Sequence, residues 1–307
     1  MKFNNNEILV LGNGQLGAKL LEIVPGARNL SLPDIDFLDY EGLRDILSSQ
    51  EGVKVLINAI AWVDADSAEN RNNRNLVRLI NQHAIACLVE VSREKNWILV
   101  HVSSDYIFDG TISNISEDDI PNPMGMYGRS KRLGDEIALI YDRSFVVRTS
   151  WVIGDSFPSD NYRNFAKTMV NLLINKEEIS VVNDQHGRLT FTSTLAEAII
   201  HLIKSDSEFG IYNVSNSGEI RTWYGIAVMI RDIISAANPG LKLAGIRRIS
   251  SEEWRKLQEI NDVVIARRPE NSDFDLSKIK AAGFNPDNYD SLLERYVMLL
   301  LEEKNMP

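Results

Sequence analysis

Three side chains of this sequence have the chemistry to reduce a carbonyl. Ser104, in the run S-S-D-Y-I-F-D-G at 103–110, offers a hydroxyl; Tyr127 and Lys131, in Y-G-R-S-K at 127–131, offer a phenol and an ammonium. These are the groups that carbonyl reduction needs around a nicotinamide: one to hold the oxygen, one to donate a proton, one to tune the donor. Tyr127 and Lys131 stand four residues apart, a spacing that puts both on one face of a helix. A free tyrosine titrates near about 10, and a fixed positive charge beside it favours the phenolate. The spacing therefore predicts that Lys131 lowers the Tyr127 pKa; a fall of about 3 units takes about 4 kcal/mol of differential electrostatics. A Tyr–Lys pair alone also occurs on solvated helix surface, so its weight comes from the elements around it.

Those elements alternate. Residues 7–12, E-I-L-V-L-G, predict a strand buried on both faces, and G-N-G-Q-L-G at 12–17 leads into the apolar helix A-K-L-L-E-I-V. A helix near 39–50, a strand at 53–59, a long helix within 70–95 and a strand at 97–103 follow. Ser103 and Ser104 close that last strand. The Tyr127 helix is expected over 126–142 and a further strand over 144–149. The fold class is α/β, a Rossmann-type doubly wound parallel sheet. Beyond 150 come a helix at 162–175, a strand at 179–183, a helix at 193–205, a strand at 210–214, a helix at 222–237 and a less regular tail. This predicts a dinucleotide-binding unit over 1–150 with a returning segment near 186–214. A smaller α/β C-terminal substrate domain would take 151–185 and 215–307. No Pro/Gly linker separates the two, which implies a large shared interface.

Gly12, Gly14 and Gly17 fit G-x-G-x-x-G between a buried strand and a helix. Glycines there permit a tight turn and close approach of a pyrophosphate, and the helix N-terminus supplies free N–H groups. An ordinary strand–helix turn with packing glycines is the competing account. The residue that meets the adenosine ribose falls in a window holding Arg28, Ser31, Asp34 and Asp36; an acid would suggest NAD, an arginine NADP, and both types are present. Asn58, Ala59, Ile60 and Ala61 end a strand with small residues, which suits a cofactor lying close and equally suits close packing. Asp105, Tyr106 and Trp151 also fall at strand C-termini, where ligands of such sheets bind, with core packing as the alternative for the two aromatics.

The 307 residues carry a net charge of −10, which argues against a nucleic-acid or anionic-membrane binder. There is no run of 18 apolar residues and no apolar leader, so no membrane span and no signal peptide are expected. The single cysteine, Cys87, sits in an apolar helical pattern and reads as a buried structural thiol of a reducing, cytoplasmic compartment. His83, His101, His186 and His201 show no metal-ligand spacing, and no metal site is expected. A homodimer is compatible with the chain, which does not fix the oligomeric state.

Together these parts resemble the dTDP-4-dehydrorhamnose reductase family of extended short-chain dehydrogenases/reductases, over essentially the whole length. The carriers are N-G-Q-L-G at 13–17, N-A-I-A at 58–61, D-S-A-E at 66–69, S-S-D-Y-I-F-D-G and N-P-M-G-M-Y-G-R-S-K-R-L-G-D-E at 122–136. R-T-S-W-V at 148–152, N-F-A-K-T-M at 164–169, V-V-N-D-Q-H-G at 181–187 and A-R-R-P-E-N-S-D-F-D-L-S-K at 266–278 complete the set. The resemblance implies a catalytic set of Ser104, Tyr127 and Lys131. It implies NADPH or NADH held by Gly12, Gly14, Gln15, Leu16, Gly17, Asn58, Ala59, Ala61, Ser103, Tyr127 and Lys131. It implies a sugar-nucleotide substrate met by Ser104, Asp105, Tyr106, Tyr127, Trp151 and Asn164, whose C4 keto group is reduced. A related branch instead serves methionine adenosyltransferase as a non-catalytic NAD(P)-binding regulatory subunit. The chain departs from the family pattern in the loop after residue 61, where Trp62, Val63, Asp64 and Ser67 replace the usual residues.

Overall fold

The structure is a computed structural model that describes residues 3–155, 164–260 and 264–304. Strand β1 (Ile8–Leu11) leads through the glycine turn to helix α1 (Gln15–Ile23) and strand β2 (Arg28–Leu30). Helix α2 (Tyr40–Ser48), strand β3 (Val55–Asn58) and the four-residue helix α3 (Ala65–Ala68) follow. Next come helix α4 (Ala84–Lys95), strand β4 (Ile98–Val102), helix α5 (Met126–Ala138) and strand β5 (Ser144–Thr149). After helix α6 (Phe165–Asn175) and strand β6 (Glu178–Val182), helix α7 (Thr192–Lys204) and strand β7 (Gly210–Val214) return to the first sheet.

That sheet is six-stranded, in the order β7-β5-β4-β3-β1-β2, with every pair parallel. Alternation along the strands divides the core in two. Ile8 and Val10 face a cluster completed by α7 (Leu195, Ile199, Leu202) and by Phe274 and Ile279. Leu9 and Leu11 face one completed by α2 (Leu43, Leu47) and α4 (Ile85, Leu88). Burial on both faces is why β1, most of β3 and the middle of β5 are apolar runs rather than alternating ones. The chain leaves β1 for β2 on one side and reaches β3 on the other. A topological switch therefore lies between β1 and β3, and the C-terminal ends of β1, β3, β4 and β5 all open on that edge.

A third apolar cluster gathers α6, β6, helix α8 (Trp223–Ala237), and helix α10 (Tyr289–Glu303) around Phe191, Ile226, Ile230 and Val297. Strand β8 (Gly245–Ile249) pairs parallel with β6 and leads into helix α9 (Ser251–Glu259). The tail is thus more regular than the sequence pattern suggested: the apolar spacing in L-L-E-R-Y-V-M-L-L-L belongs to the 15-residue helix α10. The long helix expected within 70–95 is present and carries one irregularity. It runs as Arg74–Arg78, a π-turn over Leu79–His83, then α4. The Tyr127 helix ends at Ala138, short of 142, where Ser144 Oγ donates to the Ala138 and Tyr141 carbonyls. The helix expected from 162 is described from Phe165, since 162–163 lie outside the described residues. Among the described residues no helix is long and apolar enough to cross a membrane.

Candidate active site

A cavity of about 700 Å³ runs along the switch edge. At one end lies the turn after β1. Gly12 has φ +99°, a left-handed conformation that favours glycine, and its N–H donates to the Leu30 carbonyl at 2.8 Å. Gly14 is the N-cap of α1, and a Cβ built on it meets nothing within 4 Å. That open side faces the cavity, as a pyrophosphate seat requires. Gly17 does something else. It does not line the cavity; a Cβ there would strike the Gly12 carbonyl, so it keeps α1 close to the turn. Gly12, Gly14, Gln15 and Leu16 line the cavity, as do Asn58, Ala59 and Ala61 from the end of β3. Gln15 Oε1 and Thr149 Oγ1 are buried beside it without a hydrogen-bond partner, two polar atoms ready for a polar ligand. Asn58 is fully buried, its Oδ1 accepting from the Ile60 N–H at 3.0 Å.

The window from Arg28 to Asp36 divides by position. Ser31 and Asp36 line the cavity, together with Leu32 and Leu38. Arg28 does not; its Nη1 donates to the Glu51 carbonyl at 2.6 Å.

The other end holds Ser103, Ser104, Asp105, Tyr106, Tyr127, Lys131 and Trp151, all lining the same cavity. Ser103 and Ser104 follow β4. Ser104 Oγ donates to Asp105 Oδ1 at 3.0 Å and accepts from the Tyr106 N–H at 3.3 Å. Asp105 Oδ2 accepts from Ser272 Oγ at 2.5 Å. Burial raises the Asp105 pKa, with the Ser272 and Ser104 bonds pulling the other way. Tyr106 meets Tyr127 edge-on with ring centroids 5.2 Å apart.

Tyr127 and Lys131 lie on the buried face of α5, with Asp135 one turn further along. Burial pushes the Tyr127 phenol up to about 12, and a hydrogen bond with Ser104 opposes it. The lowering expected from Lys131 is overturned. Burial of the phenol outweighs any gain from the ammonium, whose Nζ instead donates to the Val102 carbonyl at 2.7 Å. Tyr127 is therefore neutral at physiological pH, the state a proton donor needs. Lys131 is pulled down to about 8 by burial, with Asp135 holding it up. Asp135 is itself pushed up to about 6 by burial, against the pull of Arg148. His101, behind them, is kept neutral by burial and by Lys131.

Trp151 has φ +48°, a conformation rare for a large side chain. Its ring stacks on Trp223 at 3.7 Å and 14°, and a Cβ on Gly187 would lie 3.0 Å from the same ring. Asn164 stands apart. It caps α6 through the Lys167 N–H at 2.9 Å, donates to the Tyr296 hydroxyl at 2.8 Å and does not line the cavity.

Several residues that organise the site were not singled out from the sequence. Asn81 sits in the π-turn; its Oδ1 accepts from the Trp62 N–H at 2.8 Å and its Nδ2 donates to Ser130 Oγ at 2.9 Å, tying the loop after β3 to α5. Arg268 donates to Asp66 at 2.8 Å. Asp135, Trp223 and Ser272 complete the group. A helix pattern that accommodates one extra residue is the only trace Asn81 leaves in the sequence.

Among the described residues no cluster of His, Cys, Asp and Glu is placed to hold a metal ion. The family model described as "RmlD substrate binding domain" matches residues 6–301. A dTDP-4-dehydrorhamnose reductase of Aggregatibacter actinomycetemcomitans is 30% identical over 300 residues, covering 94% of this chain and 97% of its own. The spore coat polysaccharide biosynthesis protein SpsK of Bacillus subtilis is 32% identical over 298 residues, covering 95% and 96%. Among solved structures, dTDP-4-dehydrorhamnose reductase from Bacillus anthracis in complex with NADP superposes with a TM-score of 0.80 at 28% identity, covering 95% of this chain and 97% of that one. The family model spans nearly the whole chain that brings this glycine turn and this Ser–Tyr–Lys set to one sheet edge, and the relatives match it at about 30% identity over at least 94% of its length, so the chain belongs to the RmlD family of dTDP-4-dehydrorhamnose reductases.

Proposed function

We propose that this chain reduces the C4 keto group of a nucleotide-activated 6-deoxy sugar at the expense of NADPH or NADH, converting dTDP-4-dehydrorhamnose to dTDP-L-rhamnose. The observation that carries the proposal is the single cavity that joins the open glycine turn to Ser104, Tyr127 and Lys131. The names of the full-length relatives supply the sugar.

The N–H groups at the start of α1 and the bare Gly14 would hold the pyrophosphate, with Gln15 and Leu16 beside it. Asn58, Ala59, Ala61 and Ser103 would line the path to the nicotinamide, and Lys131 would hold the nicotinamide ribose. The bound dinucleotide supplies a hydride to the sugar C4. Tyr127 gives its phenolic proton to the carbonyl oxygen, and its raised pKa keeps that proton in place until the oxygen becomes basic. Ser104 holds the same oxygen. To do so it turns its O–H away from Asp105, whose other oxygen stays satisfied by Ser272. Tyr106 and Trp151 would flank the sugar nucleotide, with Asp105 beneath it; Asn164, committed to capping α6, would act one step removed.

The proposed units, 1–150 with the segment near 186–214 and 151–185 with 215–307, draw support from the separate apolar core around α8 and α10. Phe274, Leu276 and Ile279 cross back to the core of the large sheet. The cytoplasm, a reducing compartment, suits the buried lone thiol of Cys87.

NADPH oxidation by the purified protein, with and without dTDP-4-dehydrorhamnose, tests the proposal. Oxidation that depends on the sugar nucleotide and yields dTDP-L-rhamnose supports it. Tight NADPH binding with no turnover of any 4-keto sugar nucleotide would point to the non-catalytic regulatory branch.

A further inference from the structure

Helix α5 begins at a residue that cannot cap it. Its N-cap is Gly125, which has no side chain to accept from the free N–H groups of the first turn. The acceptor comes from 57 residues away: Glu69 Oε1 takes the Met126 N–H at 2.6 Å. Gly125 has φ −118° and ψ 176°, extended backbone open to any residue. What the site requires is the missing Cβ, because one built there would lie 2.5 Å from Glu69 Oε1. The glycine thus serves the approach of the carboxylate.

Glu69 is itself held. It follows α3, whose N-cap Asp64 accepts from the Ser67 N–H at 3.0 Å. Asp66 of α3 accepts from the Ala266 N–H at 2.9 Å and from Arg268 at 2.8 Å. The next residue after Met126 is Tyr127. Its carbonyl is fixed by Ser130 Oγ at 2.7 Å, and Ser130 by Asn81, so the following turn is anchored independently.

We propose that Glu69 is a positioning residue for the reduction: bound to the Met126 N–H, it fixes the first turn of α5 and thereby the placement of the Tyr127 hydroxyl against Ser104. This rests on Tyr127 being the proton donor. A carboxylate at this end also matches the partial positive charge of the helix N-terminus. Displacing a reacting group by about 1 Å costs up to about a hundredfold in rate, so freeing one turn is felt in kcat before it is felt in folding.

The experiment compares Glu69→Ala, Glu69→Gln, Gly125→Ala and the Glu69→Ala/Gly125→Ala double variant in the full chain, with NADPH and dTDP-4-dehydrorhamnose. The readouts are kcat, KM for the sugar nucleotide, NADPH Kd and the thermal midpoint. Glu69→Ala is expected to lower kcat about tenfold while NADPH Kd stays within about twofold. Glu69→Gln keeps an acceptor oxygen and recovers most of kcat. Gly125→Ala keeps every hydrogen-bonding group but pushes the carboxylate away, so it reproduces the loss and serves even if Glu69→Ala folds poorly. In the double variant the two losses do not multiply, because both remove one contact. A normal kcat in Glu69→Ala, or losses that multiply, overturns the inference. Tyr127→Phe run alongside separates the two claims. If it is inactive while Glu69→Ala is normal, only the positioning role falls; if it turns over normally, the donor assignment falls first.

Discussion

Ser272 donates to the carboxylate of Asp105 at 2.5 Å across 167 residues of chain, and both side chains are buried. The bond joins the loop that carries Ser104 to the N-S of A-R-R-P-E-N-S. It leaves Asp105 with one oxygen committed and one turned to Ser104. Ser272→Ala removes a donor from a buried carboxylate. A loss of about 1–3 kcal/mol in unfolding free energy is expected, measured by denaturant titration. An unchanged midpoint would mean that the pair contributes nothing.

Gly14 separates binding from folding. Its backbone is compatible with any residue and its Cβ direction is open, so Gly14→Val should fold with a thermal midpoint near that of the wild type. The added methyl groups occupy the cavity side of the turn, so NADPH and NADH affinity should fall by about tenfold or more. Fluorescence titration measures this, and unchanged affinity would move the dinucleotide elsewhere.

If Lys131 holds the nicotinamide ribose as proposed, cofactor binding follows its titration. Burial brings the Lys131 ammonium down to about 8, so above that pH it loses its charge. NADPH affinity should therefore weaken as pH rises through about 8. The titratable groups that act on it are Asp135 and neutral His101, with Arg148 paired to the far side of Asp135. Asp135 is the one that raises Lys131, so Asp135→Asn should shift the midpoint to lower pH. NADPH titrations across the alkaline range check this; a midpoint unmoved or moved upward contradicts it.

Trp223 supports Trp151. The stack at 3.7 Å, with Gly187 behind, holds Trp151 in a left-handed backbone conformation. Trp223→Ala should raise KM for the sugar nucleotide by about tenfold and leave NADPH Kd near the wild-type value. Equal losses in both would assign Trp223 to general packing.

The parts of this molecule that sequence makes legible are local. The Gly12–Gly17 turn, the strand ends at Asn58 and Ser103, and the four-residue step from Tyr127 to Lys131 are each specified within a few residues by geometry. Their gathering on one edge follows from parallel strands alone. The partners that organise the site lie far apart in sequence: Asn81 with Ser130, Glu69 with Met126, Ser272 with Asp105. No periodicity signals such contacts. The π-turn at Leu79–His83 is hidden for another reason, since a single extra residue barely disturbs an apolar helical pattern. For Tyr127, spacing reveals the nearby ammonium but not the depth of burial, and burial dominates its pKa.

In the proposed reaction Tyr127 delivers the proton that completes reduction of a 4-keto sugar nucleotide. Tyr127→Phe removes one oxygen atom from a ring that stays packed against Tyr106. Steady-state turnover of dTDP-4-dehydrorhamnose with NADPH, measured beside NADPH Kd, is the most direct test. The structure predicts that kcat falls by about a hundredfold or more while NADPH Kd holds within about twofold. Wild-type turnover in Tyr127→Phe would contradict the account.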